Sequence, residues 1–307
     1  MKLGTVQIDG VDTVVVAKDD DRAVVVDNHG VPLDVGALIA DWPAGAERLE
    51  RARAGTDTVA VATLTWRPPV VRPGKVICVA LNNLANRRRI MSGPEHPATF
   101  LKPASCLVGH LQPIRLRAEY GRVHPEPELA VVVGRGGCDI EPDDAVGRIF
   151  GFTVFNDITA PDMRGQDTFH YRAIHPGEDG EDVRYVDTWV SYPGRYKGAD
   201  TFGPIGPWVV TRDEIADPHA LTVRCVHQGR LVTEDSTANL RYSVATVLSF
   251  VSKTMTLEAG DIVSMGTALA PAAGGVAVQN IDLTRLGGPI EVGISGIGVL
   301  QNPVEYR

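Results

Sequence analysis

Over residues 1–70, apolar and polar positions alternate in short runs such as VQIDGVDTVVVAKDDDRAVVVD, broken by the pairs Asp9-Gly10 and His29-Gly30. Alternation with a period of two and turn punctuation predicts short strands. A helical spacing follows over roughly Val35 to Arg53, and the proline-rich stretch Arg67–Gly74 then reads as a connector. This divides the chain into a small β-rich N-terminal domain, 1–70, with no evident chemistry, and a larger domain, 71–307. In the larger domain the runs Lys75–Leu81, Leu129–Val133 and Ile149–Phe155 are continuously apolar and β-branched, as strands covered on both faces are. Gln228-Gly229 centres a hairpin, and Ser243–Thr254 places Val244, Val247, Leu248 and Val251 on one helical face. The stretch between Asp157 and Lys197 is long, glycine-bearing and acidic at Glu178, Asp179, Glu181 and Asp182, and predicts a solvated loop over a site mouth. The fold class is α+β, mostly β.

Composition narrows the function more than the fold. A chain of 307 residues that is 44% apolar and 22% charged is an ordinary globular one, and its net charge of −8 disfavours nucleic acid or an anionic membrane as partner. No apolar run approaches the roughly 18 residues of a membrane span, and no signal-like segment follows Met1, so a cytoplasmic protein is expected. The four cysteines, Cys78, Cys106, Cys138 and Cys225, form no C-x-x-C pair and read as buried free thiols. His29, His96, His110 and His227 lie beside turns and read as solvated. Nucleophile-elbow, zinc-protease and phosphate-loop motifs are missing.

The chemistry gathers between Arg122 and Asp157. Glu126 and Glu128 stand two apart before an apolar strand, so both carboxylates project from one face. Asp157 ends the next strand-like run. Three convergent oxygen donors suit Mg²⁺ or Mn²⁺. The competing reading is the solvent face of an edge strand. His124 shares the parity of Glu126 and Glu128, as a fourth ligand or as a hydrogen-bond partner of a ligand carboxylate.

PEPELAVVVGR and GFTVFNDITAPD resemble the fumarylacetoacetate hydrolase family, and so do segments Pro97–Gly109, Lys197–Glu214, Tyr242–Thr267 and Glu291–Pro303. The resemblance implies a catalytic domain of rolled mixed sheets behind a small N-terminal domain, and pairing as a homodimer. It also implies a divalent metal, Mg²⁺ or Mn²⁺, on Glu126, Glu128 and Asp157. The substrate class it implies is a small oxo acid. Lys197 and Lys102 match family lysines near the metal, and Thr267 matches a substrate-carboxylate threonine. Arg164 stands three residues after Pro161, which replaces a usual arginine, and FHYRAI resembles a segment of the isomerase and decarboxylase branch. The hydrolytic members place a His–Glu dyad where this chain has Asn86 and Arg89. Neither an amide nor a guanidinium is a general base near neutral pH. Isomerisation or decarboxylation through a metal-stabilised enolate is therefore favoured over hydrolysis. Two alternatives stand beside it: a C–C hydrolase whose base has moved to His124, His170 or His175, and a repurposed member that binds without turnover. His170 and Arg164 complete the candidate catalytic set, and Arg87–Arg89 is a candidate contact for a second carboxylate.

Overall fold

The structure is a computed structural model that describes residues 1–26, 29–55 and 58–307. Its backbone is a mixed 11-stranded sheet. From one edge the order is Thr58–Ala60, Arg22–Val25, Val11–Ala17, Lys2–Ile8, Val209–Thr211, Ile149–Asn156, Pro127–Val133, Ile262–Ser264, Val76–Ala80 and Ala98–Lys102, with Thr65–Trp66 also on Lys2–Ile8. Among the described residues, only the pairing of Ile262–Ser264 with Val76–Ala80 is parallel in this sheet. The N-terminal strands join the rest directly, Lys2 opposite Val210 and Leu3 opposite Val209. A second, four-stranded sheet runs Arg230–Ser236, Thr222–His227, Ile290–Ile294, Gly298–Asn302.

The Pro127–Val133 strand shows why its sequence does not alternate. Leu129, Val131 and Val133 pack into one core with Val223 and Val292 of the second sheet and Leu248 of a helix, while Ala130 and Val132 pack into another with Leu3, Val35 and Leu38. Every residue of the strand is buried. At about 25 cal/mol per Å² of apolar surface, a strand covered on both sides leaves no position free for polar residues except at its ends. The carboxylates are found there.

The helix Val244–Ser252 buries Val244, Val247, Leu248 and Val251 as its spacing requires, and Ser243 caps it by accepting from the Thr246 N–H. The helical stretch after Val35 is two helices, Val35–Ala40 and Trp42–Ala54, because Asp41 at φ −115°, ψ 63° leaves the helical region.

Three expectations need correction. The stretch after Asp157 is not a loop: a helix Pro161–Gln166, an antiparallel hairpin Thr168–Pro176 with Val183–Ser191, and a short helix Gly194–Gly198 fill it, and the acidic residues occupy the hairpin's turn. His227 is buried, its ring Nε2 2.8 Å from the Gly287 carbonyl, and His110 is half-buried against Trp66. Cys138 is exposed, whereas Cys78, Cys106 and Cys225 are buried, and all four are free. No helix among the described residues is long and apolar enough to cross a membrane.

Candidate active site

Two neighbouring strands deliver the three carboxylates. Glu128 lies opposite Phe155 and Pro127 opposite Asn156 in the antiparallel register. Beyond the paired residues, the Glu126 N–H donates to Asn156 Oδ1 (2.9 Å) and the Asp157 N–H to the Glu126 carbonyl (2.9 Å), which fixes Glu126 beside Asp157. One oxygen from each of Glu126, Glu128 and Asp157 lies within 4.8 Å of the others. Glu128 and Asp157 are buried, and Glu126 keeps 15% of its side chain exposed. The edge-strand reading fails here, since an edge strand's solvent face is not buried.

Two lysines and one hydroxyl enter the cluster. Lys197, in the short helix after the hairpin, donates to Glu126 Oε2 (2.7 Å) and Asp157 Oδ2 (2.5 Å). Lys102, at the end of Ala98–Lys102, donates to Asp157 Oδ1 and to the Phe202 carbonyl (2.8 Å). Thr267 Oγ1 is 3.1 Å from both Glu126 Oε2 and Glu128 Oε1, so its single proton serves one at a time. Glu128 also accepts from Ser264 Oγ (2.5 Å) and the Gly266 N–H (3.0 Å). Gly266 sits at φ +97°, and a Cβ there would lie 2.9 Å from Asn82 Cβ and 3.1 Å from the Val79 carbonyl, so the position takes only glycine.

Sequence reasoning missed the brace behind Thr267. Asn83 Nδ2 donates to Asp235 Oδ2 (3.0 Å) and the Thr267 carbonyl (3.2 Å), while Asp235 Oδ2 accepts from the Leu269 (2.7 Å) and Ala270 (3.1 Å) N–H groups. Asp235 is far from Thr267 in sequence, so only the pair Asn82-Asn83 leaving a buried strand hinted at it.

Charge decides the electrostatics. Burial alone would neutralise Lys197, but Asp157, Glu126 and Glu128 outweigh it and hold the ammonium charged far above its ordinary range. Burial likewise pushes Glu126 up, and Lys197 and His124 more than reverse this and keep it ionised. Glu128 goes the other way: burial, then the neighbouring Asp157 and Glu126 charges, raise it to about 8. Three carboxylates face two lysines, so once Glu128 gives up its proton the acidic groups outnumber the basic ones by one. Hard oxygen donors short of positive charge fit a divalent cation.

His124 Nε2 is 3.1 Å from Glu126 Oε1, and its Nδ1 is buried with no hydrogen-bond partner. Of the remaining candidates, Asn86 is buried in the Leu84–Arg88 turn, and Arg87, Arg88 and Arg89 are exposed. Arg164 is exposed on the Pro161–Gln166 helix and has no ion pair among the described residues. His170 stacks on Trp189 within the hairpin, centroids 4.2 Å apart, and His175 stands opposite Arg184 toward the hairpin's turn. No hydrogen bond among the described residues joins Arg164, His170 or His175 to the carboxylates.

Comparison with known proteins places the chain in a family. A mitochondrial oxaloacetate tautomerase of Bos taurus is 33% identical over 242 residues, 78% of this chain and 69% of that one. A 2-hydroxyhepta-2,4-diene-1,7-dioate isomerase from Mycobacterium marinum superimposes with a TM-score of 0.68 at 28% identity, covering 100% of this chain and 99% of the other. A fumarylacetoacetate hydrolase from psychrophilic Exiguobacterium antarcticum gives 0.73 at 28%, covering 100% of both chains. Residues 75–305 match the fumarylacetoacetate (FAA) hydrolase C-terminal family, and the chain is an enzyme that belongs to that family.

Proposed function

We infer that the chain catalyses tautomerisation or another enolate-forming step, decarboxylation included, on a small 2-oxo acid, with Mg²⁺ or Mn²⁺ held by Glu126, Glu128 and Asp157. The observation that carries this is the pairing of an intact carboxylate–lysine cluster with a buried amide, Asn86, and an exposed guanidinium, Arg89, at the dyad positions. A 2-oxo acid tautomerises by moving one proton between carbon and oxygen and consumes no water. C–C hydrolysis needs an activated water, and these two side chains cannot activate one.

When bound, the cation supplies Lewis-acid stabilisation of negative charge on substrate oxygens. The chain's own groups do the rest. Lys197 stays charged, so it acts as a donor and not as a base, and with Lys102 beside it attracts the substrate's carboxylate to the cluster. Thr267, with one proton to share, can turn its hydroxyl from Glu128 to a substrate oxygen. Removing a single such donor from a buried oxyanion site costs about 3 kcal/mol of transition-state stabilisation. The test is turnover of oxaloacetate and an acylpyruvate by protein treated with EDTA and by protein resupplied with Mn²⁺.

A hydrolytic reading has one observation in its favour, His124 beside Glu126. It requires acylpyruvate cleavage that a His124→Gln substitution abolishes.

A further inference from the structure

At the far end of the strand that leads to Asp157 lies a cavity of about 770 Å³, within the range of about 300–1,000 Å³ that small-molecule sites occupy. It forms where the helix Trp42–Ala54 meets the sheet, at Ile149 and Phe150, the first residues of the strand Ile149–Asn156. Seven residue steps of about 3.3 Å span that strand, so roughly 23 Å separates the cavity from the carboxylates past its other end. None of the residues lining it belongs to the carboxylate cluster.

Three of the side chains around it are arginines, Arg135, Arg148 and Arg212, and one is an acid, Asp213. The wall thus gathers positive charge on a chain whose net charge is −8. The three guanidinium groups form no ion pair among the described residues. Asp213 is engaged elsewhere, a hydrogen bond from Thr211 being the first cause that holds its carboxyl below the usual range. The backbone fixes two of the arginines: the Gly134 and Arg135 N–H groups donate to the Arg148 carbonyl (2.7 and 3.1 Å), and Arg148 Nη1 donates to the Gly136 carbonyl (2.9 Å). A Cβ on Gly136 would lie 2.1 Å from the Leu257 carbonyl, so this turn sits hard against the body. Arg148 Nε is buried with no partner among the described residues, and a buried donor left unmade is costly. Trp42 lines the same cavity with 38% of its surface exposed, its ring edge-on to Phe150 with centroids 5.0 Å apart.

We propose that this cavity binds a small anion that carries a planar ring, of the class of nucleoside diphosphates, with the arginines on the phosphate oxygens and Trp42 stacked on the ring. A guanidinium fork matches phosphate geometry, and an indole stacks on any base. The two features select the class together. A neutral ring would leave three guanidinium groups unpaired, and a bare inorganic anion would leave the indole in water. A nucleic acid needs an extended basic track, which one cavity on an acidic chain does not supply.

The test is calorimetric titration of the full chain, freed of metal on a chelating resin, with ADP, pyrophosphate and adenosine, together with tryptophan emission. ADP is expected to bind one per chain, pyrophosphate about tenfold more weakly, and adenosine not at all. Arg135→Ala/Arg212→Ala removes two exposed side chains and should raise the ADP dissociation constant about 100-fold, since each charged contact is worth about tenfold or more. ADP should quench tryptophan emission in the parent, and Trp42→Phe should abolish the quench although the other three tryptophans remain. A parent that binds no ADP would overturn the proposal, as would ADP binding that survives the double arginine substitution. Pyrophosphate binding as tight as that of ADP, or a quench that persists in Trp42→Phe, would overturn the assignment of a ring-bearing ligand to this cavity.

Discussion

Lys197→Met isolates the electrostatic core of the site. The ammonium is 8% exposed as a residue and touches two carboxylates, Glu126 at 2.7 Å and Asp157 at 2.5 Å. Methionine keeps the volume and removes the charge, so the buried cluster loses one positive charge and Glu126 loses its lysine, with Lys102 left on Asp157 alone. Removing one partner of a buried pair costs about 3–5 kcal/mol, because the other is left uncompensated. With a urea m-value near 3 kcal/mol/M for a chain of this size, the midpoint in EDTA should fall by about 1–1.7 M at pH 7.5. The loss should shrink at lower pH. Glu126 is then no longer held down by Lys197, its folded pKa rises, and the penalty disappears as the carboxyl takes up a proton. Mn²⁺ at 100 times its dissociation constant adds about 2.7 kcal/mol to any protein that binds it only when folded. The variant should gain more from the cation than the parent does, since in the parent Lys197 competes for the same two oxygens. The assay is paired urea melts, parent and variant, in EDTA and in Mn²⁺. A variant within about 0.5 kcal/mol of the parent in EDTA at pH 7.5 would refute the reasoning, because that is the range of substitutions at inconsequential surface positions.

Other consequences follow from the same charges. Glu128, raised to about 8 by burial and by Asp157 and Glu126, is largely protonated at pH 7, so Mn²⁺ binding should release close to one proton and tighten toward pH 8; calorimetry in buffers of differing ionisation heat reads this, and no proton release at pH 7 would contradict it. His110 is held neutral by burial, down to about 4 from 6.5, and its Nδ1 accepts the Gln301 N–H at 3.0 Å. The unfolded chain therefore binds the proton first: stability is full above pH 6.5 and is lost as pH falls toward 4. Since the ring is partly exposed, the loss is discounted to about 1–2 kcal/mol, and His110→Asn should flatten that part of the urea-midpoint profile.

The convergence of Glu126, Glu128 and Asp157 was legible because two local rules agree, whereas a metal on them was only what the family resemblance implied. The parity of a strand puts Glu126 and Glu128 on one face, and an apolar run that stops at Asn156-Asp157 leaves a carboxylate at its end. Lys102 and Lys197 came from family resemblance, since nothing local shows that residues 95 positions apart converge on one aspartate. The brace of Asn83 and Asp235 was invisible for the same reason. The hairpin was misread although TFHYRAI and VRYVDTWV are rich in aromatic and β-branched residues: with both faces open to solvent it shows no burial alternation, and the acidic turn dominated the reading. His110 and His227 were read as solvated because turns adjoin them, whereas long-range packing on Trp66 and on the Gly287 carbonyl covers them.

The account turns on the claim that the carboxylate–lysine cluster handles a 2-oxo acid with a bound cation and without activating water. The most direct measurement is product analysis of oxaloacetate and acylpyruvate turnover by mass spectrometry and enol absorbance, for the parent and Glu126→Ala, with EDTA and with Mn²⁺. Tautomerisation or CO₂ loss that needs the cation, falls at least about a thousandfold in Glu126→Ala, and leaves the acylpyruvate C–C bond intact is the predicted result. Acylpyruvate hydrolysis as the main reaction, or turnover indifferent to EDTA, would contradict it.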